Sequence, residues 1–203
     1  MTFGGGRPHV VLGRRHAVIE STAADAPAWR VVRCDLDGEV AVSESFGADD
    51  LLAAMVRAEE LYLEDEATGL DAERSRVRLD LWRAFVADNT GDWELWQSLV
   101  HPDLALIDHS TLGWGNVDRA GVEQNQQAMR EVAGTNEIHL RSVAIDGDHV
   151  LVEVLGTGTT VDGGAFEIAK WVIQSGRTRQ EHFGPDQRDE AERRFRELTG
   201  GQP

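Results

Sequence analysis

One segment occurs twice along the chain, and any fold the chain adopts must accommodate both copies. Trp29-Arg-Val-Val, a turn at Gly38 and Phe46-Gly-Ala-Asp-Asp50 parallel Trp171-Val-Ile, Gly176 and Phe183-Gly-Pro-Asp-Gln187. The phenylalanines stand 137 residues apart (183 − 46) and the turn glycines 138 (176 − 38), so one residue of slippage separates the copies. Each copy reads as a hairpin running into a helix, and repetition at a fixed offset is the mark of a reused structural unit. The bland alternative is a coincidence between two common hairpin-plus-helix segments. The first copy has no helices ahead of it, so the chain reads as a truncated half-domain over residues 1–68 followed by a complete domain over 70–203.

The elements follow from apolar spacing. His9–Leu12, Arg15–Glu20, Ala28–Leu36 and Glu39–Phe46 read as strands, with Asp37-Gly38 as a hairpin turn. Gly47-Ala-Asp-Asp50 opens a helix that Leu51, Leu52, Met55, Val56 and Leu61 continue and Gly69 breaks. A second helix runs from about Asp71 to Asp88, with Val77, Leu81, Trp82, Phe85 and Val86 along one side. Asn89–Asp92 ends it and caps a short helix that Pro102 stops; a polar helix spans about Arg119 to Val132. Strands follow at Glu137–Ile145, His149–Thr160, Ala165–Gln174 and Arg177–Phe183, and Pro185 opens a last helix through about Leu198. Helices first, then an antiparallel meander, then a helix, define an α+β class with the helices on one face of the sheet.

Between the third helix and the polar one lies Leu104-Ala-Leu-Ile-Asp-His-Ser-Thr-Leu-Gly-Trp-Gly115. A short apolar strand ends in Asp108 and His109, and Trp114 sits on a glycine hinge, a plausible start for a ligand pocket. Alternation sends His109 to the opposite face from Asp108 unless the chain bulges. Glu153 and Glu167 interrupt later apolar strands, and His182 lies at the end of the last strand. His139, between Ile138 and Leu140, alternates away from the core. Trp82, Phe85, Trp114 and Trp171 could line an aromatic pocket, although tryptophan at helical spacing more often belongs to a core. No metal-ligand spacing, phosphate loop or serine elbow appears: Gly-Thr-Gly158 sits inside a strand. Cofactor-free chemistry is the catalytic option that remains.

Charge excludes some partners. Lys+Arg 20 against Asp+Glu 36 gives −16, which argues against nucleic acid and against anionic membranes. Cys34 is alone, so an intrachain disulfide and a thiolate metal cluster are ruled out, and a reducing cytoplasm fits. Met1-Thr-Phe-Gly-Gly-Gly-Arg-Pro8 lacks a signal-peptide layout, and no apolar run approaches the ~20 residues of a membrane span. Lys170 is the sole lysine; that skew toward arginine reads as coding bias with little bearing on function.

Asn89-Thr-Gly-Asp-Trp93, His101-Pro-Asp103, Asp108-His109 with Leu112-Gly-Trp-Gly115, Gly164-Ala-Phe-Glu-Ile168 and Phe183-Gly-Pro-Asp186 occur in the order found in the SnoaL-like branch of the nuclear transport factor 2-like superfamily. The second half, about Leu70 to Leu198, resembles that family, and the first ~65 residues resemble the tail half of the same domain, as in the paired copies that end large actinobacterial regulatory ATPases. The resemblance implies a cone-shaped curved antiparallel sheet with helices roofing its concave face over an apolar pocket. It implies dimerisation through the outer sheet face, either as a homodimer or as an intrachain pseudo-dimer in which the half-domain covers the second sheet. Asp108 matches the position of the catalytic base of ketosteroid isomerase-like members; burial would raise its pKa toward a useful range. The other reading of Asp108 is a carboxylate that caps its loop by accepting backbone N–H bonds. His182 or Glu153 is its expected partner, and Trp82, Phe85, His109, Trp114, Glu167 and Trp171 are the expected substrate contacts, with Glu167 open to a structural role. The implied function is isomerisation, cyclisation or dehydration of a small polyketide- or terpenoid-like metabolite by proton transfer. The alternative is a non-catalytic ligand-binding or dimerisation module. Fold alone does not choose between them.

Overall fold

The computed structural model describes residues 6–21, 28–111 and 113–201, with Gly6 and Arg7 described in their backbone only. Most of the signal-peptide reading at the N-terminus, and Leu112 of the loop motif, lie outside them. The chain divides into two compact units, Met1–Trp82 and Arg83–Pro203.

The first unit begins with strands β1 (Gly6–Leu12), β2 (His16–Ser21), β3 (Ala28–Cys34) and β4 (Val40–Phe46), paired in that order as an antiparallel meander. Gly38 carries φ +88 in the β3–β4 turn, which a side chain would resist. Helix α1 (Leu51–Asp65) packs on the sheet, chiefly on β2 and β3, and α2 (Gly69–Thr90) begins at the glycine where the preceding helix was expected to stop. Alternation sorts the sheet residues. His16 and Arg33 reach Asp65 of α1, whereas Ala17, Ile19, Val32 and Cys34 form a separate buried cluster on the other face. Between α1 and the start of α2, Glu59 is fully buried and accepts from Ser75 and from the Arg78 guanidinium, so the charge is paired where water cannot reach it.

The second unit contains α3 (Trp93–Leu99), β5 (Ala105–Asp108), β6 (Val117–Asp118), α4 (Arg119–Val132), β7 (Ala133–Asp146), β8 (His149–Thr160), β9 (Ala165–Ser175), β10 (Arg179–Phe183) and α5 (Arg188–Thr199). Asp92 caps α3 by accepting from the Leu95 amide, and Asp118 caps α4 through Gly121. Strand order is β6-β5-β10-β9-β8-β7. Consecutive strands from β7 to β10 pair antiparallel as expected, but β10 pairs β5 in parallel, with Glu181 opposite Ile107 and His182 opposite Asp108. Hairpin signals reveal neighbours joined by short turns; this pairing joins strands far apart in the chain, so no turn announces it.

Two layers cover the sheet. Ala84 and Ala87 at the end of α2, Trp96, Leu104, Leu106 and Val122 form one core, joined by Trp93 and Trp114. On the opposite face Leu151, Trp171, Ile173 and Phe183 pack with Ala191, Phe195 and Leu198 of α5. The α+β class is the one expected. The expectation that all helices share one face is corrected: α5 covers the other, because Ala191, Phe195 and Leu198 repeat at helical spacing toward Trp171 and Phe183.

The repeat is visible side chain by side chain. Trp29 stands opposite Phe46 across β3–β4, and Trp171 stands opposite Phe183 across β9–β10. Glu44 receives Arg57 thirteen residues later, and Glu181 receives Arg194 at the same spacing. The amides of Gly47 and Gly184 both donate to the side chain three residues on, Asp50 and Gln187.

Candidate functional site

Asp108 and His182 come together because β5 and β10 run parallel and in register. His182 pairs with Val172 on β9, which puts Lys170, two residues back on the same strand face, diagonally beside it. Trp114 completes the group: its ring lies 6.2 Å from the His182 ring, and the Lys170 Nζ stands 5.3 Å from its centroid.

The loop that carries Trp114 is held by Asp108. Its carboxylate accepts from the Ser110 amide at 2.9 Å, from the Ser110 hydroxyl, and from the Trp114 amide at 2.6 Å. The Asp108 amide in turn donates to Asn116 Oδ1 at 3.2 Å. Gly113 permits this: a Cβ there would overlap the Asp108 carboxylate. Asp108 therefore fixes the loop, and through it the indole.

His182 is 6% exposed. Burial, reinforced by the charge of Lys170, pushes its imidazole well below the ordinary histidine pKa. Its Nε2 lies 2.9 Å from Gln180 Oε1, Gln180 Nε2 donates to Gln174 Oε1 at 3.1 Å, and Gln174 Nε2 donates to the Gly176 carbonyl at 2.7 Å. A carbonyl only accepts, so the amide orientations follow back along the chain and His182 Nε2 must carry the proton. Nδ1 is then the unprotonated nitrogen of a neutral imidazole, with no hydrogen-bond partner among the described residues.

Burial also pushes the Lys170 amine below the ordinary lysine range, against the pull of Asp88 and Asp108. Both carboxylates have other obligations. Asp88, raised by burial although Arg130 counteracts, stands 3.5 Å from the Arg130 guanidinium, which lies over Trp93. Among the described residues Lys170 Nζ has no hydrogen-bond or ion-pair partner.

Several expected contacts lie elsewhere. His109, half-exposed, binds Glu181 Oε2 at 2.9 Å and stacks on Phe183 at 4.4 Å, so it leaves Asp108 for the α5 side, as alternation required. Burial raises the Glu181 carboxyl, but Arg194, His109 and Arg179 together hold it below the usual range. Glu153 stands opposite Trp171 and is felt by Arg188, so it faces α5 and not the Lys170–His182 face. Trp171 is core against α5, with Arg188 over its ring. Glu167 is exposed on β9. Trp82 is fully buried in the first unit and Phe85 is half-buried on α2. His139 meets Thr157 and Glu137. Of the expected residues, Asp108, Trp114 and His182 gather, and Lys170, Gln180 and Gln174 join them unforeseen. The available sign was the lone lysine interrupting an apolar strand run, Ala169-Lys-Trp-Val-Ile173. Among the described residues no group of three or more histidine, cysteine or acidic side chains is placed to hold a metal ion. Among them, too, no helix is long and apolar enough to cross a membrane.

The likenesses to known proteins are structural. No family model and no curated protein matches the chain. TerC, solved with polyporic acid, is similar over 62% of this chain and 98% of its own, with 19% identity and a TM-score of 0.46. Bal32a, from a soil-derived mobile gene cassette, aligns with 59% of this chain and 97% of its own at 18% identity and TM-score 0.47. IdmH, a candidate polyketide cyclase from Streptomyces antibioticus, aligns with 54% of this chain and 92% of its own at 18% identity and TM-score 0.46. Others among the similar structures are named as nuclear transport factor 2-like proteins.

Proposed function

We propose that the second unit is a cofactor-independent acid–base site for a small hydrophobic ketone or related carbonyl metabolite, of the isomerase, cyclase or dehydratase kind. The observation that carries this is the buried neutral His182, its tautomer set by Gln180 and Gln174, next to an amine with no competing partner. His182 Nδ1 accepts the proton α to the carbonyl; Lys170 Nζ donates to the oxygen on which the enolate charge develops; the Trp114 face holds the apolar body. Such general-base help is worth typically ~10²–10⁴ in rate. Asp108, the base expected from the resemblance, serves here by positioning Trp114, since its oxygens already accept three bonds.

The second reading, a ligand-binding module without turnover, draws on the same engagement of Asp108. The two separate in one experiment: polycyclic ketones are titrated against tryptophan fluorescence and followed for conversion, with wild type, His182→Gln and Trp114→Ala side by side. An enzyme keeps binding and loses conversion in His182→Gln, and loses binding in Trp114→Ala. Binding without conversion in wild type across the series overturns the catalytic reading.

A further inference from the structure

The geometry points to Lys170 as a nucleophile: its amine forms an imine with the carbonyl of a hydrophobic aldehyde or ketone held against Trp114. This rests on the carbonyl-site reading above and deepens it by turning a contact into a bond. Lys170 is the only lysine in the chain and sits on β9 between apolar neighbours, diagonal to His182, with Trp114 capping its amine at 5.3 Å. A lysine kept only for charge would be clamped by a carboxylate. Here the two nearby carboxylates are committed, Asp88 to Arg130 and Asp108 to its own loop, and the amine is left uncoordinated among the described residues. The burial that holds its proton loosely favours the free amine, the form that attacks.

The steps balance. The Nζ lone pair bonds to the carbonyl carbon as the C=O π pair moves to oxygen, and a proton passes from nitrogen to that oxygen to give a carbinolamine. His182 Nδ1 is placed to take and return that proton. The hydroxyl then takes a proton from solvent and leaves as water while the nitrogen lone pair forms C=N, giving a protonated imine; water adds back in the reverse of both steps, returns that proton to solvent and frees the amine.

The test is reductive trapping. The full chain is incubated at neutral pH with 2-naphthaldehyde and cyanoborohydride, and the adduct is located by peptide mass spectrometry. A single lysine makes the assignment unambiguous, with the N-terminal amine as internal reference. The expected result is labelling of Lys170 at least ~10-fold faster than the same lysine in urea-unfolded protein, abolished in Lys170→Arg and slowed several-fold in Trp114→Ala. Circular dichroism of each variant shows whether its fold is kept, and the folded-against-unfolded comparison in wild type stands even if a variant misfolds. Equal rates in folded and unfolded protein overturn the proposal. Ketone conversion without trapping also overturns the imine while leaving the acid–base reading intact; trapping without conversion supports the imine and overturns His182 as the base.

Discussion

Gln180 enters the site through two atoms, accepting from His182 and donating to Gln174, and neither bond can reverse while Gln174 is held by the Gly176 carbonyl. Gln180→Leu removes the acceptor for His182 Nε2–H and leaves that donor buried, which costs about 1–3 kcal/mol of stability. It also frees the ring to exchange tautomers, so conversion falls by roughly 10–100-fold, within the range general-base catalysis contributes. Steady-state rates measured with melting curves check this; an unchanged rate would remove the glutamine pair from the mechanism. Asp108→Asn tests the loop. An amide offers one oxygen where the carboxylate offers two, so one of the three donors loses its acceptor, and the indole is released. Limited proteolysis between Ser110 and Asn116 should quicken, with weaker ketone binding as the companion effect. For Gly113→Ala, the new methyl would overlap Asp108 Oδ2, and the same phenotype is expected from the other side of the contact.

At the scale of elements, β10 carries two functions on its two faces. His182 and Gln180 look toward the α3–α4 layer; Glu181 and Phe183 look toward α5. Glu181 is fully buried and holds Arg179, His109 and Arg194, which ties α5 to the sheet. Removing one partner of a buried pair leaves an uncompensated charge, so Arg194→Met should cost up to about 3–5 kcal/mol, less whatever His109 and Arg179 still supply. Urea unfolding checks it, with ketone binding by surviving protein unchanged because the opposite face is untouched. Much of this layer was legible in the sequence: strand alternation separated Asp108 from His109, and the glycine turns set the boundaries from β7 to β10 within a few residues. The parallel β5–β10 pairing was not, since local pattern says nothing of strands brought together by the tertiary fold. Without that register the resemblance could offer both His182 and Glu153 as partners of Asp108, and local pattern could not choose the histidine that stands opposite it. Lys170 was visible but unexplained, because one lysine in a strand gains meaning only from what stands across the sheet.

For the whole molecule, the repeat ties sequence to structure most closely. The Trp–Phe pair, the Glu–Arg bridge and the glycine-amide cap recur in both copies, while only the second copy joins a lysine and a histidine across its sheet. Global stability should register that asymmetry through pH. The folded pKa of His182 is depressed below the unfolded value of 6.5, so unfolded protein binds the extra proton. Stability from this group is intact above pH 6.5 and is lost as pH falls from there toward the folded value. Wild type should therefore lose more of its melting temperature between neutral and mildly acidic pH than His182→Gln does; parallel pH profiles would exclude the buried neutral imidazole.

The most direct measurement of the acid–base site is solvent deuterium incorporation. Hydrophobic ketones incubated with the protein in D2O are followed by proton NMR for loss of the signal α to the carbonyl, a readout that needs neither product nor natural substrate. Exchange should be catalysed by the wild-type chain, fall by at least ~10²-fold in His182→Gln, and persist in Glu153→Gln, whose side chain faces α5. Exchange that survives loss of His182, or that is absent while the ketones bind, would contradict proton transfer at this histidine.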